Sequence, residues 1–150
     1  MEYNAKFFDE LEVKELYKIL KARLDVFLIE QKIHYQDLDD LDYESLHCFY
    51  VDNGKIEGYL RAFQVESGVV KIGRVLVRKR RNGLGTRLLK NSINEIKKRF
   101  NAKKIIIDSQ KNVEDFYKKN GFKTVGEDFL EEGIVHIKME IELKNERSKI

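Results

Sequence analysis

The sequence predicts an α+β domain on a mixed sheet, and three observations carry that expectation. Period-two apolar runs and 3.6-residue stripes succeed one another in the order β-α-(α)-β-β-β-α-β-α-β-β. The 150 residues contain no repeat, no low-complexity stretch and no proline, so residues 1–150 read as one domain, long enough to bury a sizeable core. Charged residues make up 37% and hydrophobic ones 42%, the balance of a globular chain rather than a disordered one.

The elements follow in order. Tyr3 to Phe8 reads as an opening strand, after which Asp9 offers an N-cap with Glu12 at the capping-box position. Val13, Leu16, Tyr17, Leu20, Leu24, Phe27 and Leu28 then form one helical stripe that ends near Ile29. Glu30 to Ser45 is polar and acidic, a loop with a short helix. Leu46 to Val51 and Ile56 to Val65 read as strands, and the Asn53-Gly54 step between them favours a tight hairpin turn. Glu66-Ser67-Gly68 turns the chain into a fourth strand, Val69 to Val77. Leu84, Leu88, Leu89, Ile93, Ile96 and Phe100 recur at helical spacing. A strand at Lys103 to Asp108, a helix at Val113 to Lys119 ended by Asn120-Gly121, and strands at Phe122 to Asp128 and Val135 to Leu143 complete the domain.

Several function classes are excluded or weakened by composition. The formal net charge of +3 is too small to imply a polyanion partner. The basic groups Arg78 to Arg81, Lys97 to Arg99 and Lys103-Lys104 could contact phosphates, but no helix combines them with base-reading residues, so no nucleic-acid partner is expected. No apolar run approaches the ~20 residues of a membrane span, and Met1 to Asn4 begins no signal peptide, so the expected location is cytoplasmic. The single cysteine, Cys48, lies in a strand-like run and reads as core. Three scattered histidines without ligand spacing imply no metal.

The chemistry concentrates where the fourth strand runs through a basic turn, Arg80-Arg81-Asn82-Gly83-Leu84-Gly85, into a helix. The first N–H groups of a helix lack intrahelical partners and its dipole is positive there, so an anion is stabilised. Gly83 and Gly85 would let a diphosphate approach. Two other glycine-rich readings fail: a dinucleotide fingerprint needs a third glycine where Leu88 stands, and a P-loop needs Gly-Lys-Ser/Thr where Gly85 is followed by Thr86-Arg87.

This turn resembles the acetyl-CoA pyrophosphate loop of the GNAT superfamily of N-acetyltransferases, and Asn112 to Phe122 resembles that superfamily's N-x-x-x-x-F-Y-x-x-x-G-F segment. The chain is similar over nearly its whole length to the ElaA-like branch. Arg23, Val26-Phe27, Glu30-Gln31, Tyr35, Asp39, Asp42, His47, Ile72-Gly73-Arg74-Val75, Gln110, Phe116-Tyr117, Gly121-Phe122 and Gly133 to His136 with Met139 carry that likeness. It departs at Ile33-His34, where the branch usually has Cys-Pro, and at Val135, where it has proline. Both changes flank the expected acceptor pocket.

The resemblance implies a mixed, mostly antiparallel central sheet flanked by helices, with acetyl-CoA as co-substrate and direct transfer to an amine in a ternary complex. It implies cofactor contacts from Val75, Leu76, Val77, Arg80, Arg81, Asn82, Gly83, Leu84, Gly85, Thr86, Asn112 and Phe116. The strand at 69–77 would splay from the strand at 103–108 and free main-chain groups. Tyr117 would stand beside the thioester sulfur as general acid, and Glu30 is favoured as base, with His47, His136 and water left open.

Acyl transfer from a thioester makes unequal demands. An aliphatic amine with pKa near 10.4 is only about one part in a thousand neutral at physiological pH, whereas a thiol of pKa about 8.5 leaves readily. A base therefore has more work than an acid. Asp37, Asp39, Asp40, Asp42 and Glu44 crowd the expected acceptor loop while Arg78 to Arg81 crowd the cofactor, which admits three readings: a cationic small-molecule or peptide amine as acceptor, a solvated face, or, for Asp39 and Asp42, ordering of the loop. An acyl-CoA sensor without catalysis is the alternative, and both monomer and homodimer remain open.

Overall fold

The computed structural model describes residues 1–78 and 83–144. The strands are β1 (Glu2–Phe7), β2 (Leu46–Asp52), β3 (Lys55–Glu66), β4 (Val69–Val77), β5 (Lys104–Gln110), β6 (Lys123–Thr124), β7 (Phe129–Glu131) and β8 (Ile134–Glu142). The helices are α1 (Val13–Arg23), α2 (Leu84–Phe100) and α3 (Glu114–Lys119). One sheet runs β1-β2-β3-β4-β5-β8-β6, with β7 paired to β8. Only β4 and β5 pair in parallel, because α2 crosses between them; every other neighbour pair is antiparallel.

Strand alternation sorts side chains onto two faces. On one, Leu46, Leu60, Ile72, Ile105 and Met139 pack with Leu84 and Leu88 of α2 and with Tyr117 and Phe122. On the other, Phe49, Tyr59 and Leu76 pack under Ile19, Ala22, Val26 and Phe27. Cys48 is fully buried in the first cluster, and burial pushes its thiol up to about 11, an inert core position.

The first helix presents a different face from the one its leucines predict. Val13, Tyr17, Leu24 and Leu28 are exposed, Leu16 and Leu20 are half-buried, and the buried residues are Ile19, Ala22, Arg23, Val26 and Phe27. A fully buried arginine in the middle of the true face disguises it in the sequence. The helix also starts later than Asp9 implies. Phe8–Glu10 is a separate 3-10 turn, and α1 begins after Glu12, whose N–H donates to the Glu15 carboxylate at 2.8 Å. After Arg23 the helix widens into a π-helical stretch, Leu24–Glu30, closed by Gln31 N–H donating to the Val26 carbonyl at 3.0 Å.

The Asn53-Gly54 turn has both residues left-handed, at φ 51° and 74°, as a two-residue hairpin requires. Of the strand expected at Phe122 to Asp128 only β6 forms, because Gly126 at φ 103° turns the chain out of the strand, and the short β7 follows beyond the expected range. Glu132 and Gly133, also left-handed at 51° and 75°, then turn β7 into β8.

Candidate active site

The site begins with an irregularity in β4. Tyr59 of β3 faces Leu76 and Arg61 faces Gly73, so Leu60 alone opposes Arg74 and Val75. This is a β-bulge, with Arg74 left-handed at φ 52°. The parallel pairing of β4 with β5 runs from Val69↔Lys104 to Ile72↔Ile107 and stops there. Beyond it Gly73–Val77 pairs only with β3, and Asp108–Gln110 only with β8. The two strands part within the sheet. Arg78 N–H donates to the Glu57 carbonyl of β3 at 2.8 Å, so by alternation the N–H and C=O of Val77 face the opening.

At the end of β4 the chain meets the N-terminus of α2, a 17-residue helix. Gly83 is its N-cap, left-handed at φ 67°, and among the described residues no side chain caps the first turn, which contains no acidic residue. The other two helices carry carboxylates in that turn. The first N–H groups of α2 therefore keep their capacity for an external anion. Arg80, Arg81 and Asn82 lie outside the described residues.

The two glycines have different reasons. A Cβ on Gly83 would meet nothing within 4 Å, so glycine is required there by the backbone angle. A Cβ on Gly85 would stand 3.3 Å from the Phe116 ring and 3.7 Å from Val77 Cγ2. Its missing side chain makes room for Phe116, where the sequence suggested room for a diphosphate.

Phe116 and Tyr117 come from α3, whose end fixes them. Asn120 donates from Nδ2 to the Phe116 carbonyl at 2.8 Å, Phe122 N–H donates to the Tyr117 carbonyl at 3.0 Å, and Gly121 is left-handed at φ 95°. A Cβ on Gly121 would press on Ile141 Cδ1 at 3.1 Å. The Tyr117 ring is wedged edge-on between Phe116 and Phe122, with centroids 5.1 and 5.6 Å away. Burial pushes its phenol above the ordinary tyrosine range, so it stays protonated. Its hydroxyl makes no hydrogen bond among the described residues.

The structure thus brings together Val77, Gly83, Gly85, Phe116 and Tyr117. Leu76 and Leu84 point their side chains into the two cores and could offer only main chain. Val75 and Thr86 are half-buried near the opening, and Asn112 is exposed in the turn before α3.

The opposite side of the opening carries the candidate bases. Glu30 is exposed at the end of the π-helical stretch, and the adjacent Gln31 accepts a hydrogen bond from Gln110, the last residue of β5, at 3.2 Å. His136 pairs in register with Gln110. Its Nδ1 donates to the Ile134 carbonyl at 2.8 Å, its ring stacks on Phe129, and its Nε2 is left as the basic nitrogen, 3.7 Å from Glu131. His47 is different. It is fully buried, with Nδ1 2.7 Å from the Tyr59 hydroxyl and Nε2 2.9 Å from the Asp42 carbonyl, and burial lowers its pKa. Both ring nitrogens are occupied, which makes it structural.

The acidic loop also has internal partners. Arg23 Nη1 donates to Asp42 at 2.7 Å, and its Nε stands 2.9 Å from Asp37 without hydrogen-bond alignment. Arg61 bridges Asp39 at 2.5 Å and Asp42 at 3.0 Å. Arg74 Nε donates to Asp37 at 2.9 Å. Asp37, Asp39 and Asp42, expected to attract a cationic acceptor, are thus engaged by the chain's own arginines, and the Arg61 hydrogen bond holds Asp39 at a pKa of about 2. Sequence reasoning allowed that Asp39 and Asp42 order the loop but missed their arginine partners. The trace of the cluster is three arginines in core-facing elements matched by three aspartates in one loop.

No group of three metal-ligating side chains occurs among the described residues, and no helix there is long and apolar enough to cross a membrane.

Comparison with known proteins agrees with this geometry. Residues 14–143 match the family model of the acetyltransferase (GNAT) domain. A UPF0039 protein of Schizosaccharomyces pombe is 36% identical over 95% of this chain and 98% of its own length. Escherichia coli ElaA is 31% identical over 93% of this chain and 95% of its own, and its crystal structure superimposes with a TM-score of 0.87 over 94% of this chain and 99% of that one. The crystal structure of an acyl-CoA N-acyltransferase from Pseudomonas aeruginosa, 31% identical, reaches the same TM-score over 94% of this chain and 99% of that one. The family match over most of the length, together with relatives above 30% identity that are covered almost end to end, shows that the chain belongs to the GNAT acetyltransferase family, in its ElaA-like branch.

Proposed function

We propose that the protein transfers an acetyl group from acetyl-CoA directly to the amine of a second substrate. The observation that carries this reading is the parting of β4 from β5 after Ile72↔Ile107, which leaves the polar groups of Val77 without a strand partner among the described residues, at a point where Phe116 links the Gly85–Val77 side to the buried, protonated Tyr117. A main-chain donor withdrawn from a strand pair is costly unless water or a ligand uses it. The pantetheine arm of an acyl-CoA has amides of matching chemistry.

Acetyl-CoA supplies the activated acyl group, and the rest is done by side chains and main chain of this protein. The N-terminus of α2 would hold the pyrophosphate, with Gly83 giving the entry angle. Main-chain N–H groups on the free edge of β4 would meet the charge that develops on the carbonyl oxygen. Tyr117 would keep a proton for the departing sulfur. Removing the amine's proton falls to Glu30, to His136 or to water, on the β8 side of the opening. His136 has the better-defined basic nitrogen, while Glu30 has the freer carboxylate.

Calorimetry with acetyl-CoA and CoA, followed by a thiol-release assay over a panel of amines, tests the reading. Binding of both ligands with thiol release on at least one amine is expected. Absence of CoA binding to folded protein would overturn it, and binding without release on any amine would leave an acyl-CoA sensor.

A further inference from the structure

We infer that Arg74 is a positioning residue for acyl transfer, locked by Asp37 and Asp39 so that one ion cluster holds both the 31–45 loop and the β4 bulge that opens the sheet. The inference rests on the proposed acyl-CoA reading of that opening. Arg74 adopts φ 52°, a left-handed conformation that crowds the Cβ of any residue but glycine. Gly73, directly before it, could take the turn without strain and does not. Something outside the backbone must therefore hold Arg74 there.

The holding groups are all in one loop. Arg74 Nε donates to Asp37 Oδ1 at 2.9 Å, and Nη2 donates to the Asp37 carbonyl at 3.0 Å and to Asp39 Oδ2 at 3.3 Å. The Tyr35 ring covers the guanidinium at 5.0 Å. The same carbonyl of Asp37 accepts from Arg23 Nη2 at 3.1 Å, and Asp39 is gripped from behind by Arg61. Arg23 and Arg61 stand on α1 and β3, so the loop is anchored to the rigid part of the domain before it reaches Arg74.

Releasing Arg74 has a definite geometric consequence. A bulge inserts one residue, and its loss shifts the rest of the strand by one, which turns each main-chain group to the other edge. Val77 would then point its N–H at β3, and β4 could close along Asp108–Gln110. The acceptor-side loop and the acyl-CoA opening are thereby coupled through one side chain.

Arg74→Gln tests this in the full chain, with CoA affinity by calorimetry, KM and kcat on a reactive amine, and amide exchange of Val77 by NMR in the ligand-free protein. CoA affinity is expected to fall on the order of tenfold or more, KM for acetyl-CoA to rise with it, and Val77 exchange to slow relative to the parent as its N–H finds a partner. A folded Arg74→Gln protein with parental CoA affinity and parental Val77 exchange would overturn the inference. A lower melting temperature alone, with both readings unchanged, would also overturn it, because that is what a purely structural role gives. If Arg74→Gln does not fold, Arg74→Lys, which keeps the charge and loses the planar fork, and Asp39→Asn are read by the same two measurements, and parental values in either folded variant overturn it. The exchange arm needs no ligand. If the parent protein fails to bind CoA, the functional reading falls while the exchange result still judges the lock.

Discussion

The two faces of the sheet are built on opposite plans. Under α2 the core is aliphatic, with Leu84, Leu88 and Ile96 on Leu60, Ile72 and Ile105. Under α1 the sheet buries Arg23 and Arg61 beside Tyr59 and His47, with Asp37, Asp39 and Asp42 closing over them. Apolar burial is non-directional and holds a helix down without saying where a loop must lie. Ion pairs do say so, because a buried charge left unpaired costs more than the pair returns. The aliphatic face carries the helix whose N-terminus we propose as the anion site. The ionic face fixes a loop and a strained strand.

Breaking each face should separate the two roles. Arg23→Ala takes one of two arginine partners from each of Asp42 and Asp37, leaving Arg61 and Arg74, and is expected to cost about 3 kcal/mol, the low end for a broken buried pair, while Leu88→Ala should cost about 2–5 kcal/mol through its cavity. Similar losses would have different reach. In Arg23→Ala, amide exchange should accelerate through residues 36–42, and in Leu88→Ala it should not. Urea unfolding with exchange measured on both proteins decides this, and a loss below about 1 kcal/mol for Arg23→Ala would mean the ionic face contributes little.

Tyr117→Phe probes the aliphatic face where it borders the opening. The ring and its contacts with Phe116 and Phe122 persist, so CoA affinity should barely change, while kcat should fall about tenfold to a thousandfold, the lower part of the usual range for general acids. Since burial holds the phenol above its ordinary range, the parent enzyme should show no alkaline loss of kcat up to about pH 10 from this group. Parental turnover in Tyr117→Phe, on an amine for which chemistry limits the rate, would reduce Tyr117 to packing.

A smaller effect belongs to His47. Its pKa is lowered in the folded protein by burial, so below its unfolded value of about 6.5 the unfolded chain binds one more proton than the native one. Stability should therefore fall as pH drops through that value, with a slope approaching 1.4 kcal/mol per pH unit. His47→Gln should flatten this segment of the stability-pH curve, and an unchanged slope would place the titration elsewhere.

What could be read in advance follows the same division. The aliphatic face was legible: the Leu84 to Phe100 stripe, the strand at 69–77 and the Phe-Tyr segment all lie where apolar periodicity and glycine placement put them. Apolar contacts leave a periodic trace. The ionic face was not legible, because Arg23 occupies a core position that hydrophobic counting assigns to solvent, and its partners are 14 to 19 residues away in a loop without periodicity. The exposed leucines of α1 then supply a false stripe. The parting of β4 and β5 had no sequence signal beyond the family likeness, since an arginine in a left-handed bend looks like any other strand residue until the register is known.

Gly85 and Phe116 were found in separate motifs 31 residues apart, yet they form one joint, the ring filling the space a Cβ would take. The two segments therefore cannot be exchanged independently. An engineer who grafts the start of α2 from a relative with a larger residue at 85 must also trim the aromatic on α3, and that trimming loosens the wall against which Tyr117 is held. Redesign of cofactor preference in this scaffold should move the loop and α3 as one cassette.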